Sequence, residues 1–151
     1  MILEVQAMVE RGASKEKIGL RGPMPPGILF AVYDSASGTP DYIPPEYSDI
    51  PQLLDELVEY VNTTDDHPLI IAAIVHYQLV TIHPFEDGNG RLSRLTSSML
   101  LQKAGYSFIS CYAFESIIEE TRKTYLYALK RAQQTFKSEP DYSPWLNYFM
   151  K

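Results

Sequence analysis

Cysteine is nearly absent: Cys111 is the only one in 151 residues. A disulfide within the chain needs two, and zinc sites built on several thiolates need more, so both are excluded. Basic charge is also short, with 13 Lys and Arg against 19 Asp and Glu and a formal charge of −6. That balance argues against nucleic acid as the main partner, because a phosphate backbone demands a basic surface. It leaves room for a nucleotide, which needs only a local cluster of positive charge. Long apolar runs are missing too. The longest aliphatic stretch, Leu69 to Val75, falls far short of the ~20 residues that span a bilayer. Met1-Ile2-Leu3-Glu4-Val5 lacks the basic region and long apolar stretch of a signal peptide. No membrane partner is expected, and the cytoplasm is the expected location.

What is present suits an ordinary globular domain, with 45% hydrophobic and 21% charged residues. One domain over residues 1–151 is the natural count. Helical patterning begins directly after Met1 and runs on to Tyr148-Phe149-Met150, so the chain reads as a domain cut from something longer.

Ile2, Leu3, Val5, Met8 and Val9 recur at helical spacing, with Gly12 placed to end the helix. Ile28 to Tyr33 is β-branched and aromatic; with Asp41-Tyr42-Ile43 it predicts a short hairpin that Pro44-Pro45 stops. Beyond Ser48 helix follows helix. Leu53, Leu54, Leu57, Val58 and Val61 form an amphipathic stripe, with Ser48 or Asp49 as cap and Pro51 in the first turn. Pro68 opens a helix that is apolar nearly all round and therefore central. A further helix after Gly88 is expected to turn Leu92, Leu95, Met99, Leu100 and Leu101 inward and stop near Gly105. A long helix from about Glu115 to Phe136 and a short one around Trp145 complete an all-α architecture with one β-hairpin.

The chemistry concentrates in residues 83–94, His-Pro-Phe-Glu-Asp-Gly-Asn-Gly-Arg-Leu-Ser-Arg. Gly88 and Gly90 bracket Asn89 where a loop turns into a helix, and free N–H groups at a helix start form an anion site. A plain turn is the alternative. Arg91 and Arg94 share a helix face near that same end, where positive charge is unfavourable unless an anion completes it. Guanidinium forks suit phosphate oxygens; the alternative is a surface pair bonded to nearby acids. His83 suits a base near neutral pH. Asp87 suits Mg²⁺, which needs only one or two protein carboxylates. Phe85 is expected to point into the core, His76 to be a buried polar residue and His67 to start a helix. The stretch is no P-loop, since no Gly-Lys-Ser or Gly-Lys-Thr follows, and no serine sits in a nucleophile elbow.

These residues resemble the Fic motif, His-x-Phe-x-(Asp/Glu)-Gly-Asn-Gly-Arg-x-x-Arg, at every specified position. The likeness extends to Tyr42-Ile43-Pro44-Pro45, to Ala72 through Ile82, to Glu115-Ser116-Ile117-Ile118 with Arg122 and Tyr125, and to Trp145 through Phe149. It implies a Fic-type helical bundle with a β-hairpin flap at about residues 28–43, transferring a nucleotidyl group, usually AMP from ATP, to a Ser, Thr or Tyr hydroxyl of a target protein. By that resemblance His83 is the general base and Asp87 holds Mg²⁺. Gly88, Asn89 and Gly90 form the anion hole, Arg91 and Arg94 take the β- and γ-phosphates, and Tyr125 lines the adenine pocket. The flap holds the target segment as an added strand.

Other groups transferred in the family are UMP, phosphocholine and phosphate; intact Gly90 disfavours phosphate transfer, which goes with lysine there. Removal of AMP by the same site goes with an inhibitory glutamate. A toxin-like module acting mainly by partner binding is the alternative outside enzymology. Many members carry that glutamate in (Ser/Thr)-x-x-x-Glu-(Gly/Asn), paired with the second motif arginine. Ser116 to Thr121 and Thr135 to Pro140 fail the pattern, so Arg94 is expected to be unrestrained unless an inhibitory segment or antitoxin acts in trans. The Gly19 to Pro26 loop also lacks the arginine-glutamine pattern common before the flap.

Overall fold

A computed structural model of the chain describes residues 2–11, 18–33, 38–107 and 114–151. Gly12, the turn residues Asp34 to Ser37, and Cys111 lie outside them. The helices are α1 (Ile2–Glu10), α2 (Ile50–Thr63), α3 (Pro68–Ile82), α4 (Asn89–Lys103), α5 (Phe114–Glu120), α6 (Arg122–Gln133) and α7 (Ser143–Phe149), with strands β1 (Val32–Tyr33) and β2 (Pro40–Tyr42) between α1 and α2. The architecture is all-α with one small antiparallel hairpin.

Helix α3 is the central element. Pro68 opens it, His67 Nδ1 accepts the Leu69 N–H at its start, and its residues from Ala72 to Tyr77 are all buried. It packs most extensively on α4, with α2 and α7 on its other sides. Two apolar clusters result. One gathers Ala73, Tyr77, Tyr125, Leu129 and Trp145; the other gathers Val5, Leu57, Leu79, Phe85 and Leu92. Trp145 Nε1–H donates to the Ala73 carbonyl at 2.7 Å, so this wholly buried ring leaves no polar group unpaired.

Three expectations change. Leu95 and Met99 of α4 are 41% and 42% exposed, while Ser93, Thr96 and Ser97 are buried. Small side chains let α4 approach α3 closely, and Ser97 Oγ satisfies itself on the Ala72 and Ser93 carbonyls. The long helix expected from Glu115 breaks at Thr121, whose hydroxyl bonds the Ile117 carbonyl at 2.6 Å and the Tyr148 hydroxyl at 2.7 Å. The first strand is shorter than Ile28 to Tyr33, because a two-stranded ribbon has no third layer on which to bury Ile28 and Leu29, both of them exposed. At α2, Asp49 occupies the cap position without a side-chain cap bond, and Pro51 lies in the first turn as expected.

Candidate active site

The 83–94 stretch joins the end of α3 to the start of α4. His83 is the C-cap of α3, at φ 50° and ψ 58°, the left-handed region that non-glycine residues seldom enter. Such a conformation costs on the order of 1–3 kcal/mol and persists only where the surroundings over-determine it. Here the His83 N–H still bonds Leu79, and its carbonyl accepts Arg21 Nε at 2.8 Å. Below the loop, Phe85 is fully buried in the second cluster. Asn89 clasps it from the helix side: Oδ1 accepts the Phe85 N–H at 3.0 Å and Nδ2 donates to the Phe85 carbonyl at 2.8 Å. The Asn89 side chain is therefore committed to the loop, and what it can offer an anion is its main-chain N–H at the helix start.

His83 Nδ1 lies 3.2 Å from the Val80 carbonyl. With the proton on Nδ1 it donates there, and Nε2 keeps its lone pair for an incoming hydroxyl. Burial lowers the imidazole pKa below its ordinary value; the Val80 bond opposes this, the nearby Arg21 charge adds to it, and Asp87 opposes it again. The ring is thereby kept neutral near pH 7, the form a base requires. Phe30, from the segment entering the hairpin, stands 6.0 Å from the His83 ring, and the Arg21 guanidinium sits 4.6 Å over the Phe30 ring. Arg21, from the loop that lacks the arginine-glutamine pattern, thus ties hairpin and base together; no motif pointed to it.

Gly88 caps α4 at φ 79°, and a Cβ there would overlap Glu10 Oε1. Glycine is required twice over, by conformation and by space. Gly90 lies under Arg94, whose NH1 would stand 3.2 Å from a Cβ. Asp87 is exposed, accepts the Gly88 N–H at 2.6 Å, and stands 3.8 Å from Arg91. Among the described residues no group of three or more His, Cys, Asp or Glu is gathered as a metal site.

Both arginines pair with nearby acids, the alternative weighed for them, and Arg94 meets the exposed Glu115, which lies in no inhibitory pattern. Arg91 donates to Glu10 Oε1 at 2.7 Å and to the Val9 carbonyl at 3.2 Å. Arg94 donates to Glu115 Oε1 through Nε at 3.2 Å and NH2 at 2.7 Å. Glu10 is fully buried, and its second oxygen, Oε2, has no partner among the described residues. A buried carboxylate so poorly satisfied beside Gly88 stands where the motif would receive an anion. No sequence signal marked Glu10: Gln6 to Arg11 keeps only the glutamate of the inhibitory pattern, with Gln where it has Ser or Thr and Arg where it has Gly or Asn.

Tyr125 lies in the Trp145 cluster, buried, with its hydroxyl 3.2 Å from His76 Nε2. The structure gives it a packing role behind Arg94 rather than an open face to a nucleotide. Burial, above all, raises its pKa to about 12. His76 is the buried polar residue expected, ringed by Phe114, Tyr125, Trp145 and Phe149.

Comparison with known proteins agrees on the family. A model described as the Fic/DOC family matches residues 4–101. Proteins named protein adenylyltransferase Fic from Drosophila sechellia and Drosophila melanogaster are each 36% identical over 110 residues, covering 71% of this chain and 20% of theirs. The chain therefore spans about a fifth of the length of these curated relatives. A crystal structure of a Fic family protein from Desulfovibrio desulfuricans superposes with a TM-score of 0.77 at 23% identity, over 99% of this chain and 42% of that one. Fic-1 from C. elegans gives a TM-score of 0.66 at 27% identity, over 98% and 38%.

Proposed function

The chain belongs to the Fic/DOC family, and from that premise we propose that it transfers AMP from ATP to a Ser, Thr or Tyr hydroxyl of a target protein. The observation that carries this reading is the desolvated, left-handed His83, its Nδ1 engaged by Val80, beside the α4 N-terminus and two arginines. The target hydroxyl gives its proton to His83 Nε2 as its oxygen attacks the α-phosphorus. The bond from that phosphorus to the bridging oxygen breaks, and pyrophosphate leaves. Main-chain N–H groups at Asn89 and Gly90 and the α4 dipole would face the charge that develops, the Gly88 N–H being engaged by Asp87; one such donor is worth about 3–4 kcal/mol in other enzymes. Arg91 and Arg94 then take the outer phosphates.

Asp87 fits Mg²⁺ because its carboxylate is exposed and directly precedes Gly88, while Mg²⁺ keeps most of its ligands as water. Bound there, the ion would neutralise charge on the phosphates. The flap is the surface on which the target segment would add as a strand, with exposed Ile28, Leu29 and Tyr33 flanking it.

A second reading of the same site is removal of AMP from a target, for which Glu10 is a carboxylate beside the cradle that pairs with Arg91 and not with the second motif arginine. ATP, UTP, GTP and CTP offered in parallel to lysate proteins decide the first reading. An adduct of AMP mass, formed only with ATP and lost in His83→Ala and Asp87→Ala, is expected. An adduct from another nucleotide, or one indifferent to both substitutions, overturns it. Release of AMP from a pre-modified target, lost in Glu10→Gln, would establish the second.

A further inference from the structure

A groove of about 840 Å³ runs between α2, α3 and the α6–α7 connection, and none of the motif residues lines it. Its floor is apolar, with Leu57, Ile70, Ile74 and Leu146. Its rim is acidic: Glu46, Asp49, Glu56 and Asp66 face a single basic residue, Lys137. Three of these acids are held by neutral donors, which leave their charge intact. Asp66 accepts from Tyr60 at 2.8 Å, Glu56 from Gln52 at 2.9 Å and Asp49 from Ser48 at 3.2 Å. Polar groups also reach in from the walls, where Gln78 Nε2 donates to the Tyr142 hydroxyl at 3.1 Å.

The groove shares a wall with a small cleft beside the flap. Pro45 and Glu46 line it and also line the small cleft that Phe30, Ile28 and Ile43 form beneath the hairpin. Arg21 fixes that shared wall to the site, since one guanidinium donates to the Pro45 carbonyl and to the His83 carbonyl. A polypeptide lying along the hairpin past His83 therefore meets the Pro45–Glu46 wall and, beyond it, an apolar trough edged with carboxylates.

We propose that this groove is a docking site for the target protein, and that it receives a basic segment with apolar anchors adjoining the modified hydroxyl. This rests on the reading of the chain as a transferase acting on proteins and adds the substrate feature it selects. Charge complementarity fixes the occupant: leucine-like anchors fill the floor while lysine or arginine meets the rim. Rim charges contribute little singly and act together through steering, so the contact weakens with salt.

The test uses the full chain and a fluorescein-labelled peptide of alternating leucine and lysine, followed by fluorescence anisotropy. Saturable binding that weakens severalfold between low and physiological salt is expected, with a Leu-Glu peptide failing to bind. Glu56→Lys with Asp66→Lys should reduce affinity about tenfold, while Glu119→Lys, an exposed acid on α5 outside the groove, leaves it unchanged. Circular dichroism of the double variant checks its fold, and Glu56→Gln with Asp66→Asn supplies a milder pair expected to fall between. Equal binding of a Leu-Ser peptide, or indifference to the rim substitutions, overturns the proposal. So does concentration-dependent dimerisation abolished by the same substitutions, which would assign the groove to a second copy of the chain. Nucleotide transfer without peptide binding removes the docking site alone; peptide binding without any transfer removes the transferase reading alone.

Discussion

Glu10 and Arg91 meet at 2.7 Å across the mouth of the anion cradle, yet they are unequal partners: the carboxylate is fully buried and the guanidinium is 43% exposed. Drawing the arginine to a phosphate would leave the buried carboxylate without its charge partner, and the glutamate cannot follow it into water without α1 moving. Any group that recruits Arg91 must therefore break this pair.

Glu10→Gln is expected to loosen that pair. The amide keeps the shape but loses the charge that holds Arg91, so nucleotide affinity should rise about tenfold, equivalent to ~1.4 kcal/mol. Isothermal titration with ATP and Mg²⁺ measures it directly. An affinity unchanged or lowered would mean that Glu10 serves only to bury α1.

Gly88 can be separated into its two constraints. Gly88→Ala meets both a positive φ and the Glu10 carboxylate, and should destabilise the fold by about 2–4 kcal/mol in denaturant melts. Adding Glu10→Ala removes the overlap and leaves the backbone strain. The double variant should therefore recover part of the loss relative to additivity. Strict additivity would show that the carboxylate moves aside freely.

Much of this arrangement was legible in the sequence, and the exceptions share a cause. Residues 83–94 are contiguous, so their gathering needed no tertiary knowledge. The all-round apolar α3 announced its central place. Glu10 was not legible as a site residue because its helix reads as amphipathic on Leu3 and Met8, both exposed, whereas the buried face carries Gln6 and Glu10. α4 misleads in the same way, with Ser93 and Ser97 facing α3 and Leu95 facing out. Apolarity marks a buried face only when the neighbour offers apolar surface at ordinary distance. Close helix contact and buried ion pairs reverse the sign of the pattern. Thr121 breaks the α5–α6 run through a side-chain bond to Tyr148, a partner remote in sequence.

The Asn89 clasp predicts a loop effect distinct from anion binding. Asn89→Ala removes two hydrogen bonds and leaves the Phe85 N–H and carbonyl unpaired in a buried setting. A loss of about 2–4 kcal/mol in stability is expected. Hydrogen exchange should show the Phe85 amide unprotected while amides in the middle of α3 keep their protection. Equal loosening of both would place the clasp in the global fold rather than in the loop.

Acid sensitivity should trace to His76. Burial, and secondarily the Arg94 charge, lowers its pKa from 6.5 to about 3, and the pKa of His83 is lowered as well. A folded-state pKa below the unfolded value means the unfolded chain binds more protons as pH falls. The stability is fully present above about pH 6.5 and drains away on acidification toward pH 3. The slope from one such group is at most about 1.4 kcal/mol per pH unit. His76→Phe keeps a ring among Phe114, Tyr125, Trp145 and Phe149 and removes the titration, though it leaves the Tyr125 hydroxyl without its partner. The variant should be less stable than the parent at pH 8, and the gap should close or invert by pH 5 in urea melts. Parallel pH profiles for the two proteins would assign the acid sensitivity to groups other than His76.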